Sequence, residues 1–370
     1  MRMCVCVPLI ALVLSPLTTA STAKRTAWVV ESPAFAAAVR SSLSTSWELK
    51  DCGANGAGCA VSPPDAEVVI GRADALDLTR LPRLKLAQSS TYFYAAPKAV
   101  PSRAAIATAT GFWPQRGVGQ IAEWCIAAIF QDVYRLAAAS AAFVDCAFAA
   151  EAPSSCAAAS EATNHTMVSD LTIGIYGYGR IGSEVARRAA ALGATVIGTK
   201  RSGPFVPPPP PLKWLSPDND RLLREADVVV LTVPGTGHAS TAGLVNRTSL
   251  LLMRPHALLV PVSAGPINFG DLEAVLRDER PKQRAVIDTW PGGCWHYPNA
   301  SCGPPLGPPD FPGSPVLARL PNVLPLPSLS MRDAAYWRSA ADSVARNLDA
   351  LANGKPLEGV VRNASEKNQD

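Results

Sequence analysis

Short apolar runs separated by amphipathic stretches dominate the second half of the chain. Five runs have the length of a single buried strand, and they cover residues 171–176, 194–199, 226–234, 256–263 and 284–290. Most of the stretches between them carry apolar residues at helical spacing. Strands that alternate with helices form parallel sheets that are covered on both faces. The pattern therefore predicts a doubly wound α/β unit.

A smaller version of this pattern precedes that unit. The apolar runs AWVVES, DAEVVIGRA, LKLAQSS and AAIATAT predict a small parallel sheet, with residues 27–30 and 67–70 as its best strand candidates. Apolar spacing predicts a long helix over 117–136, and it predicts an amphipathic helix over 331–354. The Ala- and Ser-rich segment 137–168 is interpreted as a helix end followed by a surface loop.

The amino-terminal residues have the pattern of a secretory signal peptide. One Arg is followed by an apolar stretch and then by small residues, which predicts a signal peptide over 1–22 with cleavage between about Ala20 and Ala23. A membrane anchor is the alternative, but Pro8 and Pro16 interrupt the short apolar stretch. No other segment is apolar enough to span a bilayer. We expect a secreted or lumenal protein with no membrane contact in its mature form.

Cysteines and glycosylation triplets agree with the secretory route. Local disulfides are expected in an oxidising compartment, although buried thiols are the alternative. The close pairs are Cys52 with Cys59, Cys146 with Cys156, and Cys294 with Cys302, and Cys125 is left over. The triplets that predict a glycoprotein begin at Asn164, Asn246, Asn299 and Asn363. The net charge of +4 is too small to indicate a nucleic-acid partner, and no basic stripe is present.

A glycine motif follows the first strand of the α/β unit. Gly177, Gly179 and Gly182 stand in a GxGxxG pattern between a predicted strand and a predicted helix. In dinucleotide-binding proteins the first glycine allows a tight turn, the second lets the backbone approach the pyrophosphate, and the third lets helix and strand pack closely. The pyrophosphate then binds at the amino end of the helix. The motif predicts a dinucleotide site.

The residues after the second strand indicate which dinucleotide binds. An acidic residue about 20 positions after the glycines holds the ribose 2′-hydroxyl of NAD. Lys200 occupies that position here, and Arg201 and Ser202 follow it. Cations favour the 2′-phosphate of NADP, so NADP(H) is predicted over NAD(H). A solvated Lys-Arg pair at a strand end is the alternative.

The ordered motifs resemble those of the D-isomer-specific 2-hydroxyacid dehydrogenase family. They are YGYGRIGSEVARRAAALGATVIGTKRS, LTVPGTGHASTAGLVN, LLVPVSAGPINFGDLEAVLRD, AVIDTW and LPNVLPLPSLS. The resemblance covers most of residues 171–330 and is looser before them. It implies an α/β fold with two Rossmann-like domains, a flavodoxin-like substrate domain and a dinucleotide-binding domain, with parallel sheets and a cleft between them. It also implies a homodimer.

The resemblance gives each domain its boundaries. The substrate domain is expected over residues 25–110 and is completed by 331–370, whereas the NAD(P)-binding domain is expected over 111–330. The chain would cross between the domains through the long helix and return through the last one. Family positions that would contact the coenzyme are Gly177, Gly179, Arg180, Ile181, Gly182, Lys200, Arg201, Ser202, Val233, Pro234, Ser263 and Asp288.

The reaction centre departs from the family pattern. The resemblance implies an Arg for the substrate carboxylate, an acidic residue and a proton-transferring His. Their positions hold Ala264, Pro291 and Ser328, none of which can play these parts. His296 is the candidate for a substitute acid. An NAD(P)-dependent oxidoreductase acting on a small carbonyl or hydroxy-acid substrate is expected, and a catalytically inactive dinucleotide-binding protein of the secretory pathway is the alternative.

Overall fold

The structure is a computed structural model that describes most of the chain. The described residues are 25–45, 47–53, 57–60, 65–71, 76–90, 100–108, 115–147, 166–233, 241–290, 316–327, 329–331 and 334–362. The predicted signal peptide, the triplets at Asn164, Asn299 and Asn363, and the pair Cys294 and Cys302 lie outside these ranges.

Strands and helices alternate along both halves of the chain. The strands are β1 (Arg25–Val30), β2 (Trp47–Asp51), β3 (Val68–Gly71), β4 (Leu86–Gln88), β5 (Ala105–Ala107), β6 (Thr172–Tyr176), β7 (Thr195–Thr199), β8 (Trp214–Ser216), β9 (Val228–Leu231), β10 (Leu258–Pro261), β11 (Arg284–Ile287), β12 (Val323–Pro325) and β13 (Val360–Arg362). The helices are α1 (Pro33–Ser42), α2 (Ala57–Ala60), α3 (Gln115–Tyr134), α4 (Leu136–Ala147), α5 (Arg180–Ala191), α6 (Asn219–Glu225), α7 (Arg247–Leu252), α8 (Phe269–Ala274) and α9 (Ala334–Ala352).

The first sheet has the strand order β13-β5-β4-β3-β1-β2. Its pairings are parallel except that of β13, which runs antiparallel to β5. The predicted small parallel sheet is therefore confirmed, with an antiparallel edge strand added. One face of the sheet packs against apolar side chains of α1 and α9. The return of α9 to this sheet is why residues from opposite ends of the chain share one core.

The second sheet has the strand order β12-β11-β10-β9-β6-β7-β8, and every pairing in it is parallel. Side chains of α3 and α5 cover one face, and side chains of α6, α7 and α8 cover the other. Because both faces are covered, β9 and β10 are buried at every position, which explains their uninterrupted apolar runs. The doubly wound α/β unit is confirmed.

Helix α3 joins the two sheets. It spans nearly the predicted range and packs along α5 and against β10. Near its end, Asp132 accepts two hydrogen bonds from the Arg284 guanidinium on β11, at 2.6 and 2.8 Å. Arg135 then adopts a positive φ of 47°, which separates α3 from α4. The segment after 136 is more helical than expected, because α4 extends to Ala147.

The cysteines confirm part of the predicted pattern. Cys52 and Cys59 form a disulfide that links β2 to α2, and both residues are buried. Cys146 is also disulfide-bonded, and Cys125 is free and buried within α3. Asn246 uses its side chain to cap α7, where it accepts a hydrogen bond from the Ser249 N–H at 3.1 Å. Among the helices that the structure describes, none is both long enough and apolar enough to cross a bilayer.

Two polar side chains of α9 hold it against the first sheet. The Asp349 carboxylate accepts hydrogen bonds from the Ser44 and Thr45 N–H groups, each at 3.0 Å. Burial raises the pKa of Asp349, but these hydrogen bonds, together with those from the two hydroxyls, bring it below the ordinary value. Asn347 is fully buried and donates to Gln88 Oε1 at 2.7 Å, while its own Oδ1 accepts from the Glu358 N–H at 2.8 Å.

We expect Asn347→Ala to lower the free energy of unfolding by about 2–3 kcal/mol, because it removes the hydrogen bonds of a fully buried amide to the buried Gln88 Oε1 and to the Glu358 backbone. Asn353→Ala is the control, since that exposed side chain contacts only the end of the same helix, and its effect should stay within about 0.5 kcal/mol. Urea denaturation of both variants measures the difference. Equal effects would show that the buried amide does not hold the carboxyl-terminal segment.

Candidate functional site

Two glycines of the motif are required by close packing. Gly177 has a φ of +105°, and a Cβ there would lie 2.7 Å from Val233 Cγ1 and 2.9 Å from the Val233 nitrogen. A Cβ on Gly182 would lie 2.7 Å from both the Gly177 oxygen and Ile175 Cγ2. Side chains at either position would push the turn away from β9 or α5 away from β6. Gly177 therefore allows a tight turn and Gly182 allows close packing of α5 on β6, as predicted for the first and third glycines.

The middle glycine has a different environment. A Cβ on Gly179 would meet no atom within 4 Å, so this part of the turn faces open space. Gly179 also precedes α5, whose first helical hydrogen bond runs from the Ser183 N–H to the Gly179 oxygen at 2.9 Å. The N–H groups before Ser183 are not used by the helix itself, and they stand at its positive end. We call the open space over Gly179, at the amino end of α5, the cradle. An anion such as a diphosphate fits it.

Hydrogen bonds from both neighbouring strands hold the turn in place. The Gly177 and Tyr178 N–H groups donate to the Thr199 oxygen at the end of β7, at 3.1 and 2.6 Å. On the other side, the Thr232 hydroxyl after β9 donates to the Gly177 oxygen at 2.6 Å. The family resemblance implies that Thr232 lies, with Val233 and Pro234, in the turn that would line the coenzyme. Its hydrogen bond to the glycine turn shows that it also supports the cradle.

The carboxyl end of β7 is followed by two basic side chains. Lys200 is partly exposed and its N–H donates to the Ser216 oxygen at 3.2 Å, whereas Arg201 and Ser202 are exposed. In the part of the chain that the structure describes, neither cation has a carboxylate within ion-pair distance. Arg187 and Arg188 on the neighbouring helix, by contrast, both pair with Glu184. The arrangement leaves Lys200 and Arg201 available for an anionic ligand.

The end of β10 offers no charge. Ser263 is buried, and its hydroxyl donates to the Val233 oxygen at 3.0 Å, which ties the ends of β9 and β10 together. Ala264 follows and packs its methyl group against the apolar cluster beneath. A methyl group cannot bind a carboxylate. Ala264, at the position where the resemblance implies an Arg, is therefore packed against the core but cannot provide a positive charge for a substrate.

Asp288, after β11, has a role that the sequence did not reveal. The side chain is fully buried, and its two oxygens accept the N–H groups of Leu329 and Ser330 at 2.7 and 2.8 Å. The carboxylate thus anchors the short turn Leu329–Met331, through which the chain continues toward α9. These partners lie 41 and 42 residues away along the chain, so no local pattern could indicate them. The coenzyme contact implied by the resemblance stays a prediction.

Burial disfavours the ionised form of two side chains near this edge. Burial, and secondly the negative charge of Asp288, raise the pKa of the Cys125 thiol far above its usual range. Burial also raises the pKa of Tyr178, within the glycine turn. His256 is exposed and precedes β10, so it lies at the opposite, amino end of that strand. No group of three or more His, Cys, Asp or Glu suited to a metal occurs among the described residues.

Four predicted site residues fall outside the described ranges. They are Pro234, Pro291, His296 and Ser328. The structure brings together the glycine turn, Lys200, Val233, Ser263 and Asp288 at the carboxyl ends of neighbouring parallel strands. Ligands bind at this edge in open α/β sheets.

Comparison with known proteins agrees with this geometry. Residues 146–327 match the family described as D-isomer specific 2-hydroxyacid dehydrogenase, NAD binding domain. The chain is 32% identical to a glyoxylate reductase of Thermococcus onnurineus over 191 residues, which is 50% of this chain and 49% of that protein. It is 35% identical to a hydroxypyruvate reductase of Thermotoga maritima over 94 residues, or 25% of this chain and 29% of that protein. The chain spans about half the length of the curated relatives it matches.

Solved structures share the architecture over most of the chain. A 2-hydroxyacid dehydrogenase from Ketogulonicigenium vulgare superposes with a TM-score of 0.70 at 20% identity, covering 91% of this chain and 98% of its own. An NADPH-dependent glyoxylate/hydroxypyruvate reductase from Sinorhizobium meliloti, in complex with NADP and sulfate, gives a TM-score of 0.67 at 20% identity with the same coverage. At these identities the likeness establishes the fold, with its two Rossmann-like domains.

Substitutions at two glycines of the turn should affect protein stability and coenzyme binding differently. Gly177→Ala is expected to lower the free energy of unfolding by at least about 2 kcal/mol, because it combines a disfavoured φ with close contacts to Val233. Gly179→Ala should leave stability within about 0.5 kcal/mol of the original and still weaken NADPH binding, because its new methyl group enters only the open cradle. Denaturation and calorimetric titration measure the two quantities. A Gly179→Ala protein that binds NADPH normally would contradict the assignment of the cradle.

Proposed function

We propose that this chain binds NADP(H) at the glycine turn and reduces the carbonyl group of a small substrate. Through residues 146–327 the chain belongs to the D-isomer specific 2-hydroxyacid dehydrogenase family. The observation that carries the proposal is the open space over Gly179 at the amino end of α5. Neighbouring atoms leave no room for a side chain at Gly177 or Gly182. Of the three motif glycines, Gly179 is therefore the one with open space beside it, and this is where a diphosphate would lie.

The residues around the turn would orient the coenzyme. Backbone N–H groups at the start of α5 would bind the diphosphate, and the Thr232 hydroxyl would keep the turn in its binding conformation. Val233 and Ser263 would line the side nearer the nicotinamide, where their mutual hydrogen bond fixes the strand ends. When bound, the coenzyme supplies the hydride that reduces a carbonyl carbon.

Lys200 and Arg201 support NADP(H) as the preferred coenzyme. Both are cations at the register of the ribose 2′ position, and neither has a carboxylate partner within the described ranges. The 2′-phosphate of NADP would provide a negative charge for these two cations to bind. The reductase from Sinorhizobium meliloti was solved with NADP, which shows that this fold accommodates the phosphate in that protein.

The substrate is proposed to depend less on a carboxylate than those of the relatives. Their names indicate action on glyoxylate and hydroxypyruvate, which are 2-keto acids. Ala264 stands where the resemblance implies the carboxylate-binding Arg, and the loss of one such charged contact costs about 1.5–3 kcal/mol. Neutral aldehydes and ketones are therefore substrate candidates beside 2-keto acids.

A second candidate function has one observation in its favour. Ala264 cannot contribute charge, and Asp288 is occupied by two backbone N–H groups, so neither of these two positions is set up to protonate an oxyanion. The alternative proposal is a dinucleotide-binding protein without hydride transfer. His296, the substitute acid proposed from the sequence, belongs to the first candidate alone.

The secretory location also remains our proposal. The Cys52–Cys59 disulfide and the disulfide-bonded Cys146 support an oxidising compartment. Glycosylation and a homodimer are proposed from the sequence and from the resemblance, respectively.

Replacing Lys200 and Arg201 together with Ala should weaken NADPH binding by about tenfold or more and leave NADH binding within about twofold, because only NADPH carries the 2′-phosphate. Arg187→Ala is a suitable control, since that cation is paired with Glu184. Calorimetric titration with both coenzymes gives the ratio. An equal loss for the two coenzymes would rule out these residues as the basis of NADP preference.

Turnover separates the two candidate functions. Both require that NADPH raise the melting temperature, because the coenzyme binds only the folded protein. The reductase proposal further expects NADPH consumption with at least one member of a panel of glyoxylate, hydroxypyruvate, pyruvate, aldehydes and ketones. Binding without turnover on the whole panel would favour the dinucleotide-binding protein. No binding at all would exclude both.

A further inference from the structure

A proline-rich segment follows the Lys200–Ser202 corner. We define this proline-rich segment as residues 203–211, with the sequence GPFVPPPPP, which connects β7 to β8. Most of it is exposed, and Val206 reaches 86% exposure. Phe205 differs from its neighbours because it is partly buried and packs against a hydrophobic core cluster. The segment thus holds one aromatic ring five residues after Lys200, the cation that we expect to bind the 2′-phosphate.

Contacts within the segment orient the Phe205 ring toward this corner. A Cβ built on Gly203 would lie 3.3 Å from both Cδ2 and Cε2 of Phe205, so the ring folds back over Gly203. Gly203 directly follows Ser202. The ring is therefore held next to the exposed end of the Lys200–Ser202 corner.

The cluster beneath Phe205 also reaches the glycine turn. Leu212 and Leu215 belong to it, and Tyr178 of the turn packs against the same cluster. These three side chains surround Gly198 on β7, at 3.1, 3.4 and 3.6 Å from the position that its Cβ would occupy. Phe205 and the glycine turn thus pack against the same cluster on one face of the sheet.

We propose that Phe205 stacks on the adenine ring of the bound coenzyme and is a further residue that determines its affinity. This inference rests on the proposed NADP(H) site. The ribose whose 2′ position meets Lys200 also carries the adenine base, so the base must lie within a few ångströms of that corner. Six of the nine residues of the segment are prolines, which lack the N–H groups that could donate to the base edge. Phe205 supplies the aromatic face on which a base can stack.

The two parts of the corner then have different specificities. Lys200 and Arg201 distinguish NADPH from NADH, because they act on the phosphate. Phe205 acts on a base that both coenzymes share, so it should change both affinities equally. Base–aromatic stacking is sizeable, and removal of one ring is expected to weaken binding about tenfold.

The test uses calorimetric titration of the full folded chain with NADPH, NADH, 2′,5′-ADP and reduced nicotinamide mononucleotide. Phe205→Ala should weaken the first three about tenfold and leave the mononucleotide, which has no adenine, unchanged. Phe205→Tyr should bind like the original protein, because it keeps the ring. Val206→Ala is the matched control and should have no effect, since that neighbour is exposed.

Phe205→Leu keeps apolar volume without an aromatic face, so it separates stacking from simple packing. The proposal expects it to fold with an unchanged melting temperature and still to bind the adenine-containing ligands more weakly. Unchanged NADPH affinity in Phe205→Ala and Phe205→Leu, with the original protein binding normally, would overturn the role of Phe205 alone. An original protein that binds none of the four ligands would overturn the coenzyme site as well.

Discussion

The close approach of the glycine turn to its neighbours is the constraint on which the candidate site depends. Gly177 lies so near Val233, and Gly182 so near Ile175, that neither position has room for a side chain. The Thr232 and Thr199 groups then fix the turn from both sides by hydrogen bonds. A rigid turn costs little to organise when a ligand arrives, so the amino end of α5 is ready to receive an anion.

In our proposal, the same edge of the sheet combines a coenzyme-binding framework with a reaction centre that lacks the Arg implied by the family resemblance. Ser263 and Asp288 use their polar atoms to hold strand ends and the Leu329–Met331 turn, so they stabilise the edge. Ala264, between them in the chain, presents only a methyl group. Binding and chemistry are therefore separable here, because the groups that shape the pocket are different from those that would move a proton. This separation is why two candidate functions remain and why turnover decides between them.

The sequence predicted those parts of the fold that burial on both faces dictates. The interior strands β9, β10 and β6 are continuous apolar runs, and the GxGxxG pattern marked the turn before α5. The sequence did not predict the four strands at the sheet edges, β2, β8, β12 and β13, because an edge strand is partly exposed and lacks such a run. The sequence did not predict the long-range polar contacts either. Nothing near Asp288 or Asn347 in the sequence indicates partners such as Leu329 or Gln88, which only the fold brings together.

The most direct measurement is a ¹⁵N NMR titration of the folded protein with NADPH that follows the backbone amides. If a diphosphate binds the cradle, the amides of residues 178–182 should show the largest shifts, with those at Lys200 and Arg201 next. Shifts confined to other parts of the molecule, or none at saturating coenzyme, would contradict the central claim that the open turn at Gly179 is a dinucleotide site.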